Sequence, residues 1–374
     1  MKQQKILFLA IIALLPLVLV SCMGAAQPMG GWSGPVVHDG IIYVGSRDGR
    51  VVAINASSRE QQWQWPDTDA LRSLVYTTPK VLGDLVYVGT YSGLVYALTI
   101  DRGAERWVYP RTGSIGAIVG TPVVVNETIY ISSSDGRVYA LDTTFGDFKW
   151  TWPPLAEKPL AEKLWTSPAV KGDTLYVSTF DGHIYALSAE TGELLDWSFE
   201  AEAGFASSPV IDEDTIYVGS FDRHLYAVKI GSDEPMWKFP QEEPAANWFW
   251  ASPIVDEGIV YAGCLDGKLY AIEAKTGEKI WEFDAESPIV SSPVLIDNLL
   301  VVTDESGTVY VFNLGAEIGD EAVPLKTISI GADVKSAFWA QEGLVYIRGE
   351  DNQLYVVDID KGEVSWKVSL TIEE

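Results

Sequence analysis

The sequence predicts an all-β protein, an eight-bladed β-propeller of four-stranded antiparallel blades. Three observations carry that expectation. One phrase recurs eight times at a period of 40 to 46 residues, each copy holds four short β-type runs, and turn residues separate the runs. A period of this length built from short strands indicates propeller blades or a solenoid, and four strands per copy select the propeller.

The copies align on a proline that precedes the first run, at Pro35, Pro79, Pro122, Pro168, Pro209, Pro253 and Pro293, with Ala337 assigned to this slot in the eighth. A second landmark follows at Tyr43, Tyr87, Tyr130, Tyr176, Tyr217, Tyr261, Val301 and Tyr346. Five residues on come Asp48, Ser92, Asp135, Asp181, Asp222, Asp266, Ser306 and Asp351, with no insertion in any copy. Within Ser252 to Phe283 the four runs start at Pro253, Gly258, Lys268 and Glu278. Asp256-Glu-Gly, Leu265-Asp-Gly and Lys275-Thr-Gly separate them, as strand runs bounded by turn chemistry require. Asp-Gly is read as a two-residue hairpin turn needing positive φ. Arg223 and Asn352, which replace that Gly, are expected to strain or alter their turns.

Each copy ends on Trp63, Trp107, Trp150, Trp197, Trp237, Trp281 or Trp366, and the seventh has Lys326 and Thr327 near the slot. A large ring at a fixed place in the outermost strand is expected to pack between neighbouring blades. All eight copies carry four runs. The ring then closes by blade one packing on blade eight, or residues 24 to 31 or 367 to 372 add an edge strand; both readings stay open.

Residues 1–21 read as a lipoprotein signal peptide. Lys2 and Lys5 precede an apolar stretch from Ile6 to Val20, too short and wrongly flanked for a permanent span. Leu19-Val-Ser-Cys22 is similar to the bacterial lipobox, which makes Cys22 the expected lipidation site; an ordinary signal peptide or an uncleaved anchor are the alternatives. Residues 22–31 are then a lipidated Cys and short flexible tether, and residues 32–374 the propeller. Met23 is not Asp, so the inner-membrane retention signal of Gram-negative lipoproteins is absent. The expected location is an exported, membrane-anchored lipoprotein, at the outer membrane facing the periplasm in a diderm cell and otherwise at the cell surface.

Loss of residues 1–21 removes two lysines and moves the formal charge from −26 to −28. Such an acidic body argues against nucleic acid and anionic lipid headgroups as partners. Cys264 is the one cysteine besides Cys22, so no disulfide forms within the propeller. The repeated Asp residues read as turn formers. His183 and His224 share a slot with Arg50, Arg137 and Lys268, read as a solvated hairpin position and not a metal cluster. No nucleophile elbow, phosphate loop or metal-protease helix appears. The sequence therefore assigns no catalytic residue, cofactor or metal.

Tyr270-Ala-Ile-Glu-Ala-Lys-Thr-Gly-Glu-Lys-Ile-Trp281, with Tyr185-Ala-Leu-Ser-Ala-Glu-Thr-Gly192 and Tyr139-Ala-Leu-Asp-Thr-Thr-Phe-Gly146, resembles the PQQ-type, or tryptophan-docking, propeller repeat. The resemblance covers residues 32 to 370. With the lipobox it is most similar to the BamB-type outer-membrane assembly lipoproteins. That implies a non-catalytic scaffold binding a protein partner in the cell envelope, a β-barrel assembly component among the candidates. The quinone-dependent dehydrogenases of the same repeat family imply a vicinal Cys pair and a Ca²⁺ ligand set, and neither is recognisable here.

One feature exceeds the needs of a scaffold. Three residues before each proline slot stand Trp32, Tyr76, Val119, Trp165, Ala206, Trp250, Val290 and Val334, with Phe205 and Phe249 one place earlier and Trp248 before them. In a propeller these positions gather at one mouth of the central channel. Trp32, Tyr76, Trp165, Phe205, Trp248, Phe249 and Trp250 are thus a candidate rim, which binds a peptide, a sugar or a hydrophobic segment, or else plugs the channel. The long links Thr151 to Trp165 and Pro240 to Trp250 mark the same face. A surface ligand- or glycan-binding sensor is the alternative function.

Overall fold

The computed structural model describes residues 33–67, 73–315, 319 and 321–371. The expected signal segment, lipidation site Cys22 and tether, and rim candidate Trp32, lie outside the described residues. The architecture is the expected one: eight separate four-stranded antiparallel sheets, each made of four strands consecutive in sequence. Blade 6 is typical, with strands Ile254–Asp256, Ile259–Gly263, Lys268–Glu273 and Lys279–Asp284. The first strands are three residues long, and those of neighbouring blades approach one another, which places them around the central channel.

Each blade is sandwiched between two others, so both faces of its middle strands are buried. Side chains alternate along a strand, and the two sets go to different interfaces. Val260, Ala262, Tyr270 and Ile272 pack toward blade 5, while Tyr261, Leu269 and Ala271 pack toward blade 7. Eight such clusters, one per junction, make up the core. This explains the unbroken apolar runs, which alternation with a solvated face would not produce.

The repeated Trp side chains bridge blades as expected. Trp237 Nε1 donates to the Ala274 carbonyl of blade 6 at 2.9 Å, and its ring lies on Gly277. Trp63, Trp107 and Trp150 bond Ile100, Thr143 and Ala189 in the same way, over Gly103, Gly146 and Gly192. Only a glycine leaves room for the indole at these turns. Blade 7 solves the problem differently. Lys326 pairs with Val311 in the position where Trp281 pairs with Ala271. Its stem lies over Gly362 of blade 8 and its ammonium donates to the Asp360 carbonyl, as an amphipathic side chain can.

Two turn assignments change. The two-residue turns with both central residues at positive φ join strands one and two, as at Glu257-Gly258 (φ 46° and 78°). The Asp-Gly hairpins between strands two and three are longer: Gly267 N–H donates to Cys264 O at 3.2 Å, and only Gly267 is left-handed. This is a type I turn followed by a left-handed residue. Its Asp has two tasks, since Asp266 accepts from Lys268 N–H at 3.0 Å and from the Tyr270 hydroxyl at 2.9 Å. Asp135 and Asp351 hold Tyr139 and Tyr355 likewise. Arg223 and Asn352 keep the turn and take positive φ themselves, 70° and 60°. In blade 7 the roles are exchanged: buried Asp304 accepts from the Tyr310 hydroxyl at 3.0 Å and from Ser306 at 2.7 Å. Burial, then the neighbouring carboxylates, push the phenols of Tyr310 and Tyr355 up to about 12.

The ring closes without a borrowed strand among the described residues. Ile42, Val44, Val52 and Ile54 pack on Tyr346, Leu354 and Val356, and Asn352 accepts from Arg47 N–H at 2.8 Å. Residues 367–369 belong to the fourth strand of blade 8 itself, Glu363–Ser369. Arg59 takes the place of the docking glycine at this junction, and its guanidinium lies 5.7 Å from the Trp366 ring centre.

Candidate functional site at the channel mouth

The eighth copy is one residue out of register with its sequence alignment. Ser336 bonds the Arg348 carbonyl as Thr77 bonds that of Gly89 and Thr166 that of Ser178, and the first strand of blade 8 starts at Trp339. The proline slot is therefore Phe338 and not Ala337. The rim position is Lys335, and Val334 is a fully buried interface residue.

With that correction the mouth has an alternating pattern. Tyr76, Trp165, Trp250 and Lys335 come from blades 2, 4, 6 and 8, with Val119, Ala206 and Val290 between them, around a cavity of ≈ 180 Å³. Blades 4 and 8 are half a ring apart, so Trp165 and Lys335 face each other across the axis, as do Tyr76 and Trp250. Below them lie Thr78, Thr121, Ser167, Ser208, Ser252 and Ser292, the residues just before the prolines. Successive blades are tied at this level: Ser167 N–H donates to Ser208 Oγ at 2.8 Å, Ser252 N–H to Ser292 Oγ at 3.0 Å, and Gly34 N–H to Thr78 Oγ1 at 3.2 Å.

Tyr76, Trp165, Trp248 and Trp250 stand at the mouth or beside it, but Phe205 and Phe249 do not. Both are fully buried, Phe205 between blades 4 and 5 and Phe249 between blades 5 and 6. Neighbouring residues of an extended segment point opposite ways, so the place before each rim residue faces the blade interface. Val75, Ile118, Leu164 and Ile289 fill it in other copies, all fully buried.

Phe180 and Phe221 are rim residues that the sequence reading missed. Each precedes a hairpin Asp, a slot that also holds Tyr91, Leu265 and Glu305. They complete an aromatic arc over blades 4 to 6, with ring centres at 5.6 Å for Trp165–Phe180, 5.1 Å for Phe180–Phe221 and 5.2 Å for Phe221–Trp248. Trp248 is 41% exposed. A side pocket beside the arc is lined by Trp248, Trp250, Leu265, Val290, Glu305 and Lys335 among others.

Rigid contacts hold the long links. Arg137, expected in water, is buried, and its guanidinium donates to the Pro154 and Glu157 carbonyls at 2.8 and 2.6 Å. His224, in the same slot, is also buried, 3.3 Å from Asp222. Cys264 is buried as expected, and burial pushes its thiol pKa upward. Lys335 pairs with Glu305 at 3.1 Å, a hydrogen bond that raises its pKa and keeps it charged.

A closed ring of four-stranded blades tied by outer-strand Trp residues docked on the next blade's turn glycine defines a tryptophan-docking propeller. Within that class, the chain belongs to the family described as outer membrane protein assembly factor BamB, which matches residues 23–158, 154–271 and 232–322. No curated protein sequence matches it. Among solved structures, BamB from Moraxella catarrhalis is 18% identical with a TM-score of 0.68, covering 87% of this chain and 93% of that one. The computationally designed Ika8 protein is 15% identical with a TM-score of 0.71, covering 88% and 97%. A europium-containing methanol dehydrogenase is 13% identical with a TM-score of 0.66, covering 88% and 82%. At these identities the likeness is one of fold. The described side chains lining the mouth include no carboxylate, so this cavity offers a hard cation beside a quinone no anionic ligand.

Proposed function

We propose that this protein is a non-catalytic scaffold, exported and held at the membrane by a lipid on Cys22, that binds a protein partner in outer-membrane protein assembly. Membership of the BamB family supports the assembly role, and Leu19-Val-Ser-Cys22 supports the anchor. The observation that carries the partner-binding part is the aromatic arc from Trp165 to Trp248 on one face of a rigid ring. Exposed aromatic side chains held by a scaffold contribute large contact area at low entropic cost.

The test is crosslinking of the lipidated protein in its native envelope, followed by purification and mass spectrometry. The expected result is reproducible recovery of a β-barrel assembly protein, lost in Trp165→Ala/Trp248→Ala, which cuts both ends of the arc, while the variant stays folded. Unchanged capture by the folded double variant would remove the arc from the interface. Recovery of no reproducible protein would refute the scaffold reading. Cys22→Ser is expected to move the protein from the membrane to the soluble fraction.

A further inference from the structure

We propose that the channel mouth is a binding site for a small acidic sugar, a monosaccharide carrying a carboxylate, independently of any protein partner at the arc. The polar side chains that converge there are hydroxyls, the Trp165 and Trp250 indoles, the Tyr76 phenol and the Lys335 ammonium. The oxygens of Thr78, Ser208 and Ser292 already accept a backbone N–H from the preceding blade. No hydroxyl of the six-residue ring donates to an acceptor among the described residues, so each can turn its hydrogen to a ligand in the cavity. Trp165 Nε1 is buried without a partner among the described residues. An unpaired buried donor costs about 1–3 kcal/mol, which a turn of the Trp165 ring toward a ligand oxygen in the cavity would offset. Lys335 supplies the one charge of the lining, and Lys163 lies 5.3 Å from the Trp165 ring centre. In a chain of net charge −26, a mouth lined by hydroxyls and one ammonium group with no lining carboxylate is an exception.

The hydroxyls can donate or accept, so the sign is set by the Lys335 ammonium in a lining without carboxylates, which favours an anion. The aromatic walls select a body with C–H faces, since Trp165 and Trp250 present flat rings from two blades toward one space. The cavity of ≈ 180 Å³ admits one sugar ring and little more. Glu305 bears on the site from outside the lining: it holds Lys335 at 3.1 Å and competes with an incoming carboxylate for it. Asp333 and Glu350 add negative potential at Lys335, so salt and these acids together set the affinity.

The experiment is titration of the full chain with galacturonate, and separately with galactose, followed by indole fluorescence at fixed ionic strength. Galacturonate should quench saturably, with galactose at least about tenfold weaker, a difference of about 1.4 kcal/mol. Thr121→Val, which removes a hydroxyl while keeping shape, and Trp165→Phe, which removes the indole N–H with part of the aromatic wall, should each weaken galacturonate about threefold to tenfold. Lys335→Met should weaken it about tenfold, whereas Glu305→Gln should tighten it about threefold. Those opposite shifts separate recognition of the carboxylate from damage to the fold. Equal affinity for the neutral sugar, no saturable quenching by galacturonate, or shifts of Lys335→Met and Glu305→Gln in the same direction would each overturn the assignment.

Discussion

Two glycines of blade 6 allow the contribution of tryptophan docking to be measured against an internal control. Gly277 and Gly258 both have positive φ, 74° and 78°. A Cβ on Gly258 would meet nothing within 4 Å, whereas one on Gly277 would lie 2.6 Å from Trp237 Cγ and 2.7 Å from its Cδ2. Gly258→Ala therefore costs only the left-handed backbone, roughly 1–2 kcal/mol. Gly277→Ala costs the same and also displaces the indole. That weakens the 2.9 Å bond to Ala274, about 1 kcal/mol, and opens packing around a ring that is 6% exposed, about another 1 kcal/mol. The two variants should differ by about 2 kcal/mol in guanidinium unfolding. In a domain of this size the difference corresponds to about 3 °C in Tm. Adding Trp237→Phe to Gly277→Ala should recover part of the loss, because the smaller ring no longer meets the new methyl group. Equal costs for the two Gly→Ala variants, within about 0.5 kcal/mol, would show that the indole is not held against the turn and refute docking as the tie between blades.

Three further outcomes follow from the same contacts. Tyr270→Phe should cost about 1.5 kcal/mol, because the hydroxyl bonds the Asp266 carboxylate; Tyr96→Phe, in the copy with Ser92 at the Asp position, should cost under about 0.5 kcal/mol by the same unfolding assay. Stability should fall in alkali: phenols whose folded pKa is raised, with Tyr87, Tyr261, Tyr310 and Tyr355 near 12, favour the folded state fully below the unfolded value of about 10 and lose that contribution between about pH 10 and 12. The guanidinium midpoint should therefore decline over that window and stay flat from pH 8 to 9. Lys326→Trp should stabilise the protein by about 1 kcal/mol, since Gly362 of blade 8 leaves a docking platform of the usual kind and an indole buries more apolar surface than a lysine stem; a lower midpoint would show that the slot is shaped for the stem.

The blade count was legible because each blade must bury two faces, and that demand repeats every residue type that meets it. The fixed interval from Asp266 to Tyr270 is a side-chain bond seen through sequence spacing, and the recurrent Thr-Gly turn is the platform for the previous blade's indole. What the sequence hid were directions and substitutions. Phe249 and Trp250 are adjacent aromatics, yet one enters a blade interface and the other the channel. The distinguishing signal was present in the slot that Phe249 shares with Val75, Ile118, Leu164 and Ile289, apolar in seven of the eight copies with Gly31 in the first. Rim positions vary because packing does not constrain them. Phe180 and Phe221 escaped for that reason, their slot also accepting Arg47, Ser134 and Glu350. Copy eight, lacking the proline, slipped by one residue and hid Lys335 behind Val334. That slip matters chemically, since it exchanged an ammonium group at the channel mouth for a buried aliphatic side chain and made a mouth with one charge read as an uncharged one. In a repeat fold the core is over-determined by the other copies, so an alignment error costs little there. At the rim each copy supplies a single group, and one residue of register decides which chemistry the site has.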